Sequence, residues 1–207
     1  MTGKTEKKRV QILDGARIVF LAKGFDGASM EAIAQAAGVS KGTLYTYFKG
    51  KDELFTALVA ACQNRSLEET FSNMKKASDL RGNLETLAWS YLDAVREPEN
   101  LALLRVVVGA SAKFPSLGRA FYETGMQPPI RRLAEYLKDN ASPGTAGAWD
   151  AELAAMQFFA FLRASVAIPM LIADEPSPSP QMCSAIAAQA VDTLLRDLAE
   201  EPLGAEA

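Results

Sequence analysis

The chain has 207 residues, 49% of them hydrophobic, which is enough apolar matter to bury the core of one large domain or two small ones. A net charge of −3 excludes a protein that coats nucleic acid through overall basicity. The absence of any histidine removes the usual catalytic triads, histidine acid–base chemistry and histidine-ligated metals, so no enzymatic activity and no metal or other cofactor is expected.

Helical periodicity runs along nearly the whole chain, and no alternating strand pattern stands out. Residues 5–23 repeat apolar positions at Val10, Leu13, Ala16 and Phe20, widened by Ile12, Val19 and Leu21, as one face of a 3.6-residue period requires. Gly24 ends this helix. Ser29 can cap a second helix, with Ile33, Ala36 and Ala37 facing inward, and Gly38 supplies the turn that follows. Ser40 can cap a third, which runs from Lys41 to Phe48 and stops at Lys49-Gly50. A fourth, from about Lys51 to Met74, carries Leu54, Leu58, Cys62 and Phe71.

A polar stretch, Lys75 to Asn83, has the composition of a loop. Further helices are expected at roughly 83–96, 101–113, 116–139, 148–172 and 181–199, the third of these broken near Pro128-Pro129. Glu97-Pro98, Pro115, Ser142-Pro143-Gly144 and Pro176 to Pro180 punctuate them. The expected fold is all-α, with about nine helices: an N-terminal three-helix domain at 1–52, a connecting helix at 51–74 and a C-terminal helical bundle at 75–207.

Charge is uneven along the chain. Residues 1–51 hold nine basic and four acidic side chains, a balance of +5, which leaves −8 to the remainder. Cys62 and Cys183 lie far apart without CxxC spacing, so they read as buried reduced thiols rather than a zinc site or disulfide. The start, MTGKTEKKRV, lacks the apolar core of a signal peptide, and no apolar run approaches the roughly 18 residues of a membrane span, so a cytoplasmic protein without membrane contact is expected.

Residues 29–48 carry the most information. Two short helices across a glycine turn make a helix-turn-helix when their apolar positions close on a third helix, and Ile33, Ala37, Val39, Leu44 and Phe48 can do so against Leu13, Ala16 and Phe20. Lys41, Gly42, Thr43, Tyr45 and Tyr47 then face outward, with donors for phosphates or base edges and a glycine that permits close approach. The helix starts near Ser29, Ser40 and Lys51 can direct free N–H groups at phosphates. Lys7-Lys8-Arg9 reads as a solvated helix start, with phosphate contact as the alternative.

Phe20-Leu-Ala-Lys-Gly24-Phe25, the run from Ser29 to Ser40, Gly42-Thr-Leu-Tyr45-Thr-Tyr47-Phe48 and Lys51-Asp-Glu-Leu54 together resemble the TetR family of transcription regulators. The resemblance covers about 47 residues without gaps; Met30 departs from it, standing where the family often has Thr or Val. It implies that Lys41, Gly42, Thr43, Tyr45, Tyr47 and Lys51 meet double-stranded operator DNA, while Leu44 and Phe48 are core; Ser29 and Ser40 join the DNA-facing set through the helix starts that they cap. The stretch Leu104 to Glu123 is similar to the C-terminal domain of the AefR-like branch.

A single recognition helix reads few base pairs, so a homodimer is expected. Leu153, Met156, Phe159 and Leu162, with Ile186, Val191, Leu194, Leu195, Leu198 and the alanines 185, 187, 188 and 190, suit helix–helix contact. The resemblance implies that the last two helices pair between subunits. Trp89, Phe121, Tyr122, Met126, Phe158 and Phe161 can line an apolar pocket for a small effector, or form solid core. Arg105 and Arg163 sit on apolar helices and need partners; an internal acid (Asp93, Glu123 or Glu152) is expected over a ligand. These features read as a repressor released by a small apolar ligand, against a ligand-independent dimeric DNA-binding protein or an activator.

Overall fold

The computed structural model describes residues 3–74, 79–140 and 150–199, apart from the side chains of residues 3, 4, 62–70, 72, 73 and 199. Its helices, in order, are α1 (Gly3–Gly27), α2 (Met30–Ala36), α3 (Lys41–Tyr47), α4 (Lys51–Asn73), α5 (Leu80–Arg96), α6 (Pro98–Ser111), α7 (Pro115–Phe121), a π-helical turn (Tyr122–Met126), α8 (Gln127–Asn140), α9 (Ala151–Ile172) and α10 (Pro180–Ala199). The described residues contain no strand, as expected for an all-α chain. The side chain of Cys62, part of the loop at Lys75 to Asn83, the Ser142-Pro143-Gly144 break and the helix start expected at 148 lie outside the described residues.

Side-chain caps set several of the boundaries. Asp79 accepts a hydrogen bond from the Gly82 amide at 3.0 Å, so α5 starts three residues before the apolar pattern at 83 declares itself. Asp150 accepts from the amides of Glu152 and Leu153 at 2.9 and 3.2 Å and starts α9. Between α7 and α8 the interruption falls earlier than Pro128-Pro129. These prolines open α8, where missing amides cost little, but they withhold the donors that would serve the carbonyls of Thr124 and Gly125 in a continuous α-helix. The backbone just upstream widens into the π turn.

The chain packs as two units, and these do not follow a single cut in the sequence. The head unit is Met1–Asn64 with Ala102–Met126; the body unit is Arg65–Leu101 with Gln127–Ala207. A linear division at about residue 75 therefore misses a segment: Leu103, Val107, Ala110 and Leu117 are buried in the same core as Ile12, Phe20, Ile33, Leu44 and Leu54. Phe20, Phe25 and Phe55 anchor that core, with Phe20 edge-on to Phe55 at 4.9 Å between ring centroids and Phe25 against Phe114 at 5.0 Å. Burying each such ring contributes about 1.5–3 kcal/mol.

α1 crosses α2 at Gly15, where a Cβ would fall 2.5 Å from the backbone nitrogen of Ala37. Only glycine permits this approach. The Gln11 amide donates to the Ala37 carbonyl at 2.7 Å and fixes the same crossing. Gly24 leaves the helical conformation with φ +67°, ending the regular part of α1 where the sequence places its stop.

In the body unit α9 packs on α5, α8 and α10, and α10 on α5. Their shared core includes Leu84, Leu92, Leu133, Phe159, Leu162 and Val191. By length and composition α9 is apolar enough to cross a membrane, which corrects the expectation that no run is long enough. Residues 155–172 hold Arg163 as their one charged side chain, so the run is hidden only by that guanidinium and a few small polar groups. Phe158, Phe159, Leu162 and Val166 on its inner face form the body core.

Candidate nucleic-acid interface

The turn between α2 and α3 is built from backbone groups that find partners at once. Ser29 accepts from the Ala32 amide at 3.2 Å, and Ser40 accepts from the Thr43 amide at 3.0 Å with its Oγ 2.8 Å from the Thr43 hydroxyl. Gly38, at φ +62°, donates its amide to the Gln35 carbonyl at 3.1 Å, and Val39 donates to Ala34 at 3.0 Å. On α2 the inward positions are Ile33 and Ala34 rather than Ala36, which is exposed, because Ala34 and not Ala36 follows the helical stripe through Met30 and Ile33.

On α3 Leu44 alone is buried, with Phe48 buried just beyond its end. Lys41, Gly42, Tyr45 and Thr46 are exposed; Thr43 and Tyr47 are half-buried, and Tyr47 packs against the head core. The outward set read from sequence is thus brought together on one short helix, with Tyr45 44% exposed. Thr46 turns its hydroxyl back to the Gly42 carbonyl at 2.9 Å.

Two of the candidate cations are engaged within the head. Lys41 pairs with Glu31 across the turn. The hydrogen bond from Lys41 lowers the Glu31 carboxyl below its usual range, and the same bond raises the Lys41 ammonium. Lys51 differs more sharply from the sequence reading. Its ammonium donates to the carbonyls of Phe25, Asp26 and Ala28 at 3.0, 3.3 and 3.4 Å and lies 4.8 Å from the Phe25 ring centroid. A cation held by three carbonyls and an aromatic face fastens the end of α1 to the start of α4. Carbonyl acceptors carry no signature in a sequence, so this role was invisible there.

Further groups escaped the sequence reading because their partners are distant in the chain. Lys113 pairs with Asp26 at 2.6 Å, and its hydrogen bond lowers the Asp26 carboxyl. Arg9 places its guanidinium 5.6 Å from the Phe48 ring centroid, which commits part of the N-terminal basic run to packing.

The eight candidate pocket residues divide between the units. Arg105, Phe121, Tyr122 and Met126 belong to the head unit, while Trp89, Phe158, Phe161 and Arg163 belong to the body unit. Arg105 and Tyr122 are exposed, Phe121 and Met126 half-buried. Phe158 is core, Trp89 packs partly buried against that core, and Phe161 is 39% exposed. The acid expected beside Arg163 is not its partner: its Nε and Nη2 donate to the Tyr91 hydroxyl at 3.0 and 2.5 Å. Asp93, one of the acids considered, pairs instead with Arg96 at 2.6 Å, a neighbour one helical turn away.

Two capped helices at a glycine turn, one exposing a polar and aromatic face above a closed core, define a helix-turn-helix of the DNA-binding regulator class. Comparison with known proteins makes the assignment specific. Residues 12–58 match the model for bacterial regulatory proteins of the tetR family, and residues 82–197 match the C-terminal domain of the AefR-like transcriptional repressors. The chain belongs to the TetR family, whose members are transcriptional regulators rather than enzymes.

Among curated relatives, the transcriptional regulator SrpR of Pseudomonas putida is 31% identical over 105 residues, 51% of this chain and 47% of that protein. UidR of Escherichia coli K12 is 39% identical over 67 residues, 32% of this chain and 34% of UidR. The matched segments thus span half or less of these two proteins. Among solved structures, one assigned to the TetR family from Mesorhizobium loti superposes with a TM-score of 0.80 at 28% identity, covering 92% of this chain and 96% of that one. The flavonoid-responsive regulator FrrA superposes with a TM-score of 0.74 at 30% identity and the same coverage.

Proposed function

We propose that this chain acts in the cytoplasm as a homodimeric repressor that grips operator DNA with α3 and is released by a small ligand with an apolar body. The observation that carries the DNA half is the outer face of α3, where Lys41, Gly42 and Tyr45 are exposed and Thr43 is half-buried beside them. The backbone at Gly42 can approach a phosphate closely, Lys41 supplies charge, and Thr43 and Tyr45 supply hydroxyls for phosphates or base edges. Tyr47, half-buried, can reach out with its hydroxyl alone. Lys51 supports this face indirectly, by holding α1 and α4 together behind it.

The dimer reading rests on the outer faces of α9 and α10. Leu153, Met156, Phe161 and Ile168 recur along the outer side of α9 with relative exposures of 39–44%, and Ala160 and Ala164 leave room between them. On α10, Met182, Ala185 and Ala188 are exposed while Ala187, Ala190 and Val191 close the body core. An apolar helical stripe of this kind finds its partner in a second copy, and pairing two heads doubles the DNA sequence read.

FrrA responds to flavonoids by its name, and a body rich in aromatic side chains suits an effector of related character. Release then follows from linkage: a ligand that favours a dimer unable to span two half-sites weakens DNA binding by the same coupling, typically about 1–3 kcal/mol. Fluorescence anisotropy of a bound DNA fragment, titrated with apolar aromatic compounds, tests this. Release at saturating compound is expected; unchanged affinity for every compound shown to bind the protein would refute it.

A further inference from the structure

Among the described residues, the body unit contains a group of hydrogen-bond donors without protein acceptors. An arginine carries five N–H donors. Arg163 gives one from Nε and one from Nη2 to the Tyr91 hydroxyl, and its three remaining N–H groups have no acceptor among the described residues. Tyr91 Oη accepts both bonds, so its own proton also points to no protein acceptor among them. On α9 the residues that flank Arg163 at helical spacing, Met156, Phe159, Ala160, Val166, Ala167 and Met170, are all uncharged. The Tyr91 ring is tilted against Phe159 at 4.8 Å between centroids. On the α9 side the pair is thus flanked by uncharged side chains, and among the described residues it offers donors only.

The half-buried Arg163 cation, next to a neutral phenol, has no counter-charge among the described residues, where such a group ordinarily has one. Burial pushes the Tyr91 hydroxyl above its usual range, which keeps it protonated and hence a donor at neutral pH. The complement of such a set is acceptor-rich, negatively charged at one end and apolar elsewhere. We propose that Arg163 and Tyr91 form an anion anchor in the body, taking one charged oxygen group, a carboxylate or a phenolate, of a small molecule whose remainder is apolar. The anchor deepens the ligand-responsive reading above and names the chemical class of its effector.

The test uses the full chain and two pairs of probes in calorimetry: decanoate against decanol, and a nitrophenolate against nitrobenzene. At least one anion binds about tenfold to a hundredfold more tightly than its neutral counterpart, the scale of charge-assisted hydrogen bonds. The pair that shows the preference distinguishes carboxylate from phenolate. Arg163→Met brings that ratio to about one while leaving the neutral probe's affinity unchanged, and Tyr91→Phe lowers the ratio in part. Arg163→Lys, which keeps the charge and loses the planar fork, gives an intermediate ratio and guards against a misfolded Met variant. An absent preference in the natural chain, or one that survives Arg163→Met, overturns the anchor. Operator affinity, read separately, keeps the two ideas apart. Anion binding that depends on Arg163 but leaves DNA binding untouched refutes ligand release and supports the anchor. Release of DNA by the anion that persists undiminished in Arg163→Met refutes the anchor alone.

Discussion

Lys41 and Lys51 carry the same charge ten residues apart, and their surroundings assign them different work. Lys41 is exposed and holds one acid, Glu31, that a phosphate can replace. Lys51 is bound to three carbonyls that no ligand can displace without opening the head. Lys41→Ala should therefore weaken DNA binding and flatten the logarithmic salt dependence of affinity by about one unit, the signature of a lost phosphate contact. Lys51→Met should lower the melting temperature and leave that slope unchanged. Anisotropy titrations at several salt concentrations decide this; a flattened slope for Lys51→Met would mean that its ammonium reaches DNA. The sequence could show that both residues were cationic near a helix start, but not that one of them faces backbone oxygens.

Tyr91 yields a pH dependence whose sign is fixed. Burial raises its folded-state pKa above the unfolded value of about 10. Its contribution to stability is thus fully present below about pH 10 and is lost as pH rises through the folded value. Denaturant midpoints measured up an alkaline series should fall for the natural chain and fall less for Tyr91→Phe, whose absorbance titration also lacks the late tyrosinate. Identical decline in both chains would contradict the assignment.

At the scale of elements, the short helices were legible because their signals are local. Ser29 and Ser40 stand one residue before α2 and α3 and accept amide protons within the first turn. The π turn was not, since Pro128 and Pro129 act on carbonyls four residues upstream, and sequence shows the prolines but not where the strain is relieved. The crossing of α1 on α2 depends on a close approach that a lone glycine inside a helical pattern does not announce. Gly15→Ala places a methyl group 2.5 Å from the Ala37 nitrogen and should cost about 1–3 kcal/mol, measured as a lowered denaturation midpoint. Unchanged stability would mean that α1 and α2 can separate freely.

At the scale of the whole molecule, the helical class followed from periodicity alone, whereas the grouping of helices did not. Residues 102–126 join the head core through Leu103, Val107, Ala110 and Leu117, whereas a single cut in the sequence near residue 75 places them in the body. The last helices divided in a way that composition could not reveal: Phe159 and Leu162 close the body core, while Leu153, Met156 and Phe161 remain outside it. Phe161→Glu places a charge in the proposed subunit contact without touching that core. Sedimentation should then find a folded monomer with greatly weakened DNA binding; an intact dimer would place the contact elsewhere.

Selection of bound sequences from random double-stranded DNA by the full chain tests the central claim most directly. The expected result is a palindromic site whose two half-sites keep a fixed spacing, and whose base preferences change with substitutions at Thr43 or Tyr45. Recovery of no enriched sequence, or of one unaffected by changes on the outer face of α3, would contradict it.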